Sequence, residues 1–234
     1  MNILHRYWLF CACLLLPAGS YALQPFSASY QLLLDDEKKG ETQFSLLLPS
    51  TGYSFEAFTL PQGKLAAIDV KHEILETSHG HFKDNRPEPD SYYYAVRNAS
   101  GTQMLEFFFD WKKNQLTLRG DKEQQKFALE DGTQDHLSYI LRAIMLAESN
   151  QRIARFKRIS IEGTKEITLK KKLQKYISTP AGRFLALEIN VETTDGKETR
   201  SLWLAVKHGF MPLLLTKNTG KGRVRMELTK VEKQ

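Results

Sequence analysis

The sequence predicts a mainly β protein: a single curved antiparallel sheet, or a partly closed β-barrel, with one helix packed on it. Three observations lead to this fold class. Apolar residues recur at every second position through most of the chain, as in strands that bury one face. Short polar turns separate these runs. One segment, about 135–150, carries its apolar residues at helical spacing instead.

The first strands are predicted to form a series of hairpins. Apolar residues alternate from Phe26 to Leu34, and a polar turn is predicted over 35–40. The next apolar run spans 44–48 and ends at the Pro-Ser-Thr-Gly sequence of 49–52. Another strand then begins at Tyr53. Strands that follow one another through such short turns pair side by side in an antiparallel sheet.

The clearest alternation lies in the middle of the chain. Its members are Leu105, Phe107, Phe109 and Trp111, with Tyr92 and Tyr94 in the strand before. Phe108 adds apolar surface to the opposite face of the same strand. A sheet that is covered on both sides, or one that curls on itself, would account for this pattern.

The one predicted helix begins at Asp135 and ends at about Asn150. Its apolar positions are Leu137, Ile140, Leu141, Ile144 and Met145. Thr133 and Asp135 are both candidate N-caps, because their side-chain oxygens can accept the N–H bonds of a first helical turn. Ser138 could complete such a cap. The apolar stripe of the helix must pack on another surface, and the sheet is the simplest one.

Residues 1–22 have the layout of a cleavable secretory signal peptide. A basic start ends at Arg6, an apolar run follows, and Ser20 and Ala22 supply the small residues before a predicted cleavage between Ala22 and Leu23. The apolar run is about a dozen residues long, whereas a membrane-spanning helix needs about 20. We therefore expect a periplasmic protein, not an integral membrane protein, whose residues 23–234 form a single β-rich domain.

Both cysteines, Cys11 and Cys13, lie within this leader. A lipoprotein signal that ends at Cys13 is an alternative, although Phe10 makes it a poor match. Cleavage after Ala22 would leave a chain without disulfides, thiolate nucleophiles or thiolate metal ligands. The net charge of +6 suits contact with anionic surfaces, and lysine-rich faces that are merely solvated are the simpler interpretation.

His79 and His81 are the best metal candidates, with His72 and Asp84 nearby. Two imidazoles one residue apart on a strand would project from the same face, as a shared metal ion requires. The segment 78–85, however, is predicted to be a turn with two solvated histidines. A metal site at this position, and with it a metal-dependent hydrolase, is therefore the weaker interpretation.

Asp110 and Asp135 are the best candidates for a functional acid. Asp110 ends an aromatic strand beside Trp111, which could raise its pKa, and it is also well placed to open a turn. Asp135 is more simply a helix cap. Ser138 lacks the G-x-S-x-G context of an activated nucleophile, and the sequence contains no glycine-rich phosphate loop. The sequence thus predicts no catalytic residue and no cofactor.

The aromatic residues of the middle strands are candidate ligand-binding residues. A dense aromatic set can line a groove for an apolar molecule or an acyl chain, as in half-open barrels. The set consists of Tyr92, Tyr94, Phe107, Phe109 and Trp111. Core packing is the competing interpretation, because aromatic side chains dominate ordinary cores. Nucleic acid is not an expected partner of a periplasmic protein.

Several short motifs occur in an order that resembles one protein family. They are Phe26-Ser-Ala-Ser-Tyr30, Gly80-His-Phe82, Tyr92-Tyr-Tyr94, Phe109-Asp-Trp111, Asp135-His-Leu-Ser138, Thr179-Pro-Ala-Gly182, and Trp203-Leu204 followed by Met211-Pro212. Together they resemble the domain of unknown function 3108 family of bacterial exported proteins. The resemblance implies a periplasmic or secreted all-β protein of undetermined activity, and it supplies no catalytic residues.

These observations favour a non-enzymatic binding protein or an envelope-associated protein. The first hypothesis is an apolar ligand, such as a lipid or acyl chain, on the concave face of the sheet, with the helix as a partial lid. The second hypothesis is an assembly partner of another envelope protein. A hydrolase that uses His79 and His81 is the third and weakest.

Overall fold

The computed structural model describes residues 23–62, 73–99, 101–120, 124–160, 163–194, 199–219 and 222–232. The predicted leader with Ala22, and also His72, lie outside these residues. The structure is 73% strand, which confirms the prediction of a mainly β fold with one helix. No helix in the described ranges is both long and apolar enough to cross a membrane.

One antiparallel sheet contains all fourteen strands of the described residues. In chain order these are β1 (Phe26–Leu34), β2 (Glu37–Leu47), β3 (Tyr53–Pro61), β4 (Glu73–Lys83), β5 (Arg86–Asn98), β6 (Gly101–Asp110), β7 (Gln115–Arg119), β8 (Gln124–Ala128), β9 (Ile153–Ser160), β10 (Gly163–Thr179), β11 (Gly182–Thr193), β12 (Thr199–Ala205), β13 (Pro212–Thr219) and β14 (Gly222–Glu232). Helix α1 (Ser138–Glu148) lies between β8 and β9 in the chain.

The order of the strands across the sheet is β8-β7-β6-β5-β4-β3-β2-β1-β14-β13-β12-β11-β10-β9. Each half of the chain is therefore a series of hairpins, as predicted. The first and last strands pair with each other in the middle of the sheet, and α1 belongs to the connection between the two edge strands.

The β1–β2 and β4–β5 turns are shorter than predicted. They consist of Asp35-Asp36 and Asp84-Asn85, and these four residues have φ angles of 47, 72, 50 and 56°. Aspartate and asparagine tolerate this left-handed conformation, which two-residue hairpin turns require. The turns predicted over 35–40 and 78–85 are therefore wrong in extent, since β2 begins at Glu37 and β4 continues to Lys83.

Helix α1 lies inside the curve of the sheet. It contacts β5 on one side and β9 to β12 on the other. Eight of its eleven residues are buried, so the helix is enclosed around most of its circumference. A helix buried in this way needs a surface that wraps around it, which a curved sheet provides. The helix therefore occupies the concave face of the sheet rather than covering it from outside.

The two edge strands, β8 and β9, are not hydrogen-bonded to each other in the described part of the chain. The segment 129–137 helps to span this opening. Within it, the backbone N–H of Gln134 donates to the Lys157 carbonyl at 2.8 Å and the Ile159 N–H donates to the Gln134 carbonyl at 2.9 Å. The Gln134 side-chain amide donates to the Pro87 carbonyl, also at 2.9 Å. A single residue thus ties edge strand β9 to β5 and holds the sheet in its curved form.

The core runs along the concave face and joins α1 to both halves of the sheet. Phe55 packs edge to face against Phe26 and Phe44, with ring centroids 5.9 and 5.4 Å apart. Tyr30 is completely buried, and its hydroxyl donates to the Pro212 carbonyl at 2.9 Å. This bond satisfies a polar group that would otherwise lose its hydration without compensation.

Candidate functional site

A buried polar cluster surrounds the start of α1. The Asp135 carboxylate accepts the N–H bonds of Leu137 and Ser138 on its Oδ1, both at 2.7 Å. In return, the Ser138 Oγ accepts the N–H of Asp135 at 2.8 Å. This reciprocal arrangement satisfies donors that a helix start leaves without partners. The predicted capping roles of Asp135 and Ser138 are confirmed, whereas Thr133 donates to the Glu130 carbonyl in the preceding turn and caps no helix.

The sheet holds this cap through Ser78 of β4. The Ser78 hydroxyl donates to Asp135 Oδ2 at 2.6 Å, and the Tyr53 hydroxyl lies 3.3 Å from Ser78 Oγ. Burial raises the pKa of the Asp135 carboxyl, although the bonds from Ser78, Ser138 and Leu137 oppose this shift. Ser78, Asp135 and Ser138 have no exposed surface. A substrate cannot reach them, so we assign this cluster a structural role.

Beside the cap, the curved sheet leaves an open cavity, which we call the N-end pocket. It has a volume of about 210 Å³ and lies between the first half of α1 and strands β2 to β4 and β12 to β14. Its wall is apolar, and its members are Phe44, Ala57, Leu137, Ile140, Leu202, Leu215, Val224 and Met226. Its main polar groups belong to Thr42, Thr59, Glu76, His136, Arg200 and Lys217.

The charged groups of the N-end pocket come from opposite sides of the curve. Arg200 on β12 and Lys217 on β13 are register partners. Glu76 lies on β4, and strands β3, β2, β1, β14 and β13 separate β4 from β12 in the sheet. Only the curvature of the sheet can bring side chains from such distant strands to one cavity.

Glu76 is the one carboxylate among the described residues that line the N-end pocket. The Tyr92 hydroxyl donates to its Oε2 at 2.5 Å. Burial raises the pKa of the Glu76 carboxyl and the charge of Asp135 raises it further, whereas the bond from Tyr92 and the charge of Arg200 lower it. The net pKa is above the ordinary value, so Glu76 takes up a proton more readily than an exposed glutamate.

The predicted ligand-binding aromatics occupy the core rather than the N-end pocket. Tyr92, Phe107 and Phe109 are 4, 3 and 6% exposed and belong to the packed inner face of the sheet. Tyr94 and Trp111 are partly exposed, and the Trp111 indole donates to a backbone carbonyl at 2.8 Å. The geometry favours core packing for the three buried rings.

His79 and His81 do not share a metal site with the residues described. The β4–β5 register shifts between His79 and Gly80, because β5 carries one extra residue, Asp90, at this point. His81 lies 3.0 Å from Glu88 and 3.2 Å from Asp90. Within the described ranges, no group of three or more histidine, aspartate or glutamate side chains could hold an ion.

Asp110 caps a turn. The backbone N–H of Lys113 donates to its Oδ1 at 3.0 Å, and the Lys113 ammonium donates to its Oδ2 at 2.7 Å. These bonds lower the pKa of the Asp110 carboxyl. The turn interpretation is therefore confirmed, and the raised pKa considered for Asp110 is wrong.

A second cavity, the C-end pocket, lies at the other end of α1. Its volume is about 620 Å³, and it is lined by Leu23, the β4–β5 turn and the last turns of the helix. Arg86 and Arg142 supply its positive charge. The Glu148 Oε1 is buried there without a hydrogen-bond partner, and burial raises the pKa of this carboxyl to about 7. The charged lining makes this pocket less suited than the N-end pocket to an apolar ligand.

A family model matches the part of the chain that contains the Asp135 cap and the N-end pocket. A family model described as "Protein of unknown function (DUF3108)" matches residues 26–229. The chain belongs to this family. The match extends from β1 into β14, so it includes the Asp135 cap and the residues of the N-end pocket. The resemblance inferred from the sequence motifs is thereby confirmed.

A solved structure supports the fold of this DUF3108 protein. The chain resembles a β-barrel-like protein of the domain of unknown function DUF1849 from Brucella abortus, with a TM-score of 0.63 and 14% sequence identity. The alignment covers 90% of this chain and 98% of that chain. At such low identity the likeness shows the shared fold alone. No curated protein matches this DUF3108 chain in sequence.

The charged lining of the N-end pocket was not among the predicted site residues. A signal for it exists in the sequence, because Arg200 precedes Leu202 and Leu204 at alternate positions and Lys217 continues the alternation of Leu213 and Leu215. The alternation therefore places these two charged side chains on the same strand faces as the apolar residues. This test would have found Arg200 and Lys217 but not the cavity that they share with Glu76.

Proposed function

We propose that this DUF3108 protein is a non-enzymatic binding protein of the bacterial periplasm, and that it holds a small amphiphilic or apolar molecule in the N-end pocket. The observation that supports this most is the composition of the cavity. An apolar wall with a few charged groups is typical of small-molecule sites. The remaining concave face is largely filled by α1, which limits where a ligand can bind.

The size of the N-end pocket restricts the ligand. A volume of about 210 Å³ is larger than the roughly 150 Å³ of an engineered apolar cavity that binds benzene. A cavity of this size has room for a small ring or a short chain. A longer acyl chain would therefore extend out of the pocket, and a whole lipid would be held by one end.

Two further arguments support the compartment and the absence of catalysis. The leader predicts export, and the family resemblance implies it. The hydroxyl and carboxyl groups closest to an enzyme-like arrangement, Ser78 and Asp135, are buried beyond the reach of a substrate.

Elemental analysis of protein purified without a His tag tests the competing hypothesis of a metal-dependent hydrolase. Stoichiometric zinc that is lost in a His79→Ala, His81→Ala double variant would overturn the proposal.

The binding function is tested with periplasmic protein analysed by native mass spectrometry and organic extraction, together with a hydrophobic fluorescent probe. Val224→Trp fills the N-end pocket from its edge. Val231→Trp is the matched control, because Val231 is exposed on the same strand and does not line the pocket. We expect a bound molecule and probe binding in the wild type and in Val231→Trp, and a loss of both in Val224→Trp. Equal binding by all three proteins would exclude this pocket.

The same preparation tests the location. The N-terminal residue should be Leu23. A diacylated Cys13, or an intact Met1 in the membrane fraction, would contradict the proposed soluble periplasmic form.

A further inference from the structure

We propose that one edge of the sheet docks on the surface of an anionic phospholipid bilayer, with Leu173 entering the membrane while basic side chains around it contact lipid phosphates. This inference is independent of the N-end pocket. It is carried by the uneven charge of the chain, by exposed cations that form no ion pair with the described residues, and by the apolar side chains beside them.

The positive charge of the protein is concentrated in β9, β10 and the start of β11. Residues 151–187 contain ten lysines and arginines and two acidic residues, which gives a net charge of +8. The whole chain has a net charge of +6, so its other residues, 23 basic and 25 acidic, carry a net charge of −2. Basic residues that are clustered in one part of a protein attract anionic surfaces to that part.

Strand β10 extends well beyond its outer neighbour. The β9 strand pairs with residues 163–170 of β10, and from Lys172 to Thr179 β10 pairs only with β11 in the described part of the chain. The β10–β11 register shifts between Lys171 and Gln174, because β10 carries one extra residue there. The side chains around this bulge therefore lie at a free edge of the sheet.

Five exposed cations belong to this region, which we call the basic edge. They are Arg152, Arg155, Lys172, Lys175 and Arg183. None of the five forms an ion pair with the residues that the structure describes, whereas Lys157 and Lys170 on the same two strands pair with glutamates. Lys175 lies over the Trp203 ring at 4.2 Å from its centroid, a contact that adds no negative charge. The basic edge can therefore bind several anionic groups at once.

The basic edge also carries exposed apolar side chains. Leu173 is 84% exposed and Tyr176 is 62% exposed, the two highest values among the large hydrophobic residues described. Ile153, which is 43% exposed, is the register partner of Lys170. Lysines at a free strand edge can prevent pairing with another chain, but they do not account for an exposed leucine between them. Attachment to an anionic membrane uses both kinds of residue, because buried apolar area and attraction to charged lipids add.

Sedimentation with sucrose-loaded vesicles tests this docking. Protein purified from the periplasm is mixed with vesicles of phosphatidylcholine alone, or of phosphatidylcholine and phosphatidylglycerol in equal parts, at about 50 mM salt. Each basic residue near an anionic membrane contributes about fivefold to the partition coefficient. We expect the protein to bind the anionic vesicles at least about tenfold more strongly than the neutral ones, and to lose this preference at about 500 mM salt, where the charges are screened.

Charge variants connect the preference to the basic edge. Arg152→Gln with Lys172→Gln should weaken binding to the anionic vesicles about tenfold or more. Lys112→Gln with Arg223→Gln is the matched control, because it removes one lysine and one arginine from exposed positions away from this edge. The control should retain most of the binding.

A second pair of variants tests the apolar contact. Leu173→Ser should weaken binding to the anionic vesicles about fivefold, since the leucine no longer enters the membrane. Leu47→Ser is its control, because Leu47 is 54% exposed on β2, far from β10 in the order of the strands. This control should bind as the wild type does.

Three results would overturn the inference. The first is equal binding of the wild type to neutral and anionic vesicles, which is also the result expected if the basic edge instead binds an acidic protein. The second is equal binding by the Arg152→Gln, Lys172→Gln variant and its control. The third is equal binding by Leu173→Ser and Leu47→Ser. All three leave the proposed binding function standing, because ligand binding in the N-end pocket is measured without vesicles.

Discussion

The Asp135 cap offers the most direct test of how the helix is held within the sheet. Substitution of Asp135 by alanine removes the acceptor of three donors: the N–H groups of Leu137 and Ser138 and the hydroxyl of Ser78. All three bonds lie in the buried interior, where water cannot replace the lost carboxylate. The substitution therefore weakens the start of α1 and its attachment to β4 together.

The expected loss of stability can be worked from these contacts. Loss of a helix cap costs about 1 kcal/mol, and a buried donor without an acceptor costs about 1–3 kcal/mol. The Ser78 hydroxyl can turn toward Tyr53, and removal of a buried carboxyl relieves its desolvation, so the separate costs do not add fully. We expect Asp135→Ala to lower the free energy of unfolding by about 2–4 kcal/mol. For a domain of this size, that corresponds to a fall in Tm of roughly 5–15 °C.

Thermal and urea denaturation of three proteins measure this effect. Asp131→Ala is the matched control, because Asp131 is an exposed aspartate that pairs with Arg86 at 3.0 Å, and exposed ion pairs contribute about 0–1 kcal/mol. Asp135→Asn keeps an acceptor for the two N–H groups and should lose about half as much stability as the alanine variant. A Tm of Asp135→Ala equal to that of Asp131→Ala would refute the assigned role of the cap.

Three further predictions concern single residues elsewhere in the fold. In the folded protein the pKa of Glu148 is raised to about 7 from 4.5; the folded state binds the proton more tightly, so stability falls as pH rises from about 4.5 to 7. Glu148→Gln should remove this fall and stabilise the protein at pH 8. The gain should be only about 1 kcal/mol, because solvent screens the partly exposed group. If urea titrations between pH 5 and 8 show the same dependence of stability on pH in the variant and the wild type, this prediction is contradicted. Tyr30→Phe should cost about 1 kcal/mol through its lost buried hydrogen bond, and the exposed Tyr176→Phe close to nothing; equal values would show that the bond contributes little. Gly80→Ala would place a Cβ 2.4 Å from a backbone carbonyl oxygen and should lower the free energy of unfolding by about 2 kcal/mol or more. In the control Gly120→Ala, the new Cβ meets only a side-chain atom at 3.4 Å. This control should lose clearly less stability in the same denaturation assay.

The elements of this fold are predictable from sequence because their signals are local. Alternation from Phe26 to Leu34 and helical spacing around Ile140 and Ile144 are patterns among neighbouring residues. The pairing of β1 with β14 is different, since it joins segments at opposite ends of the chain and no local pattern specifies it. The lengths of two turns were also mispredicted, because Asp35, Asp36 and their counterparts at 84–85 adopt left-handed conformations that allow a two-residue turn.

The candidate site depends on curvature, which sequence periodicity does not reveal. Alternation places Arg200 on the same strand face as Leu202, but it does not show that Glu76 lines the same cavity. The aromatic ligand set was an attractive prediction for the same reason: Phe107 and Phe109 do lie on the concave face, but they pack within the core. Once the curvature is known, Arg200 and Lys217 are seen to line the open cavity beside the start of α1.

Methionine methyl NMR tests the central claim, that a small amphiphile binds in the N-end pocket. Met226 lines this pocket, Met145 lines the C-end pocket, and Met104 is exposed on β6. In protein labelled with ¹³C at the methionine methyl groups, octanol and octanoate should shift the Met226 resonance saturably and leave those of Met145 and Met104 in place. An unmoved Met226 resonance, or equal shifts at all three positions, would contradict the account.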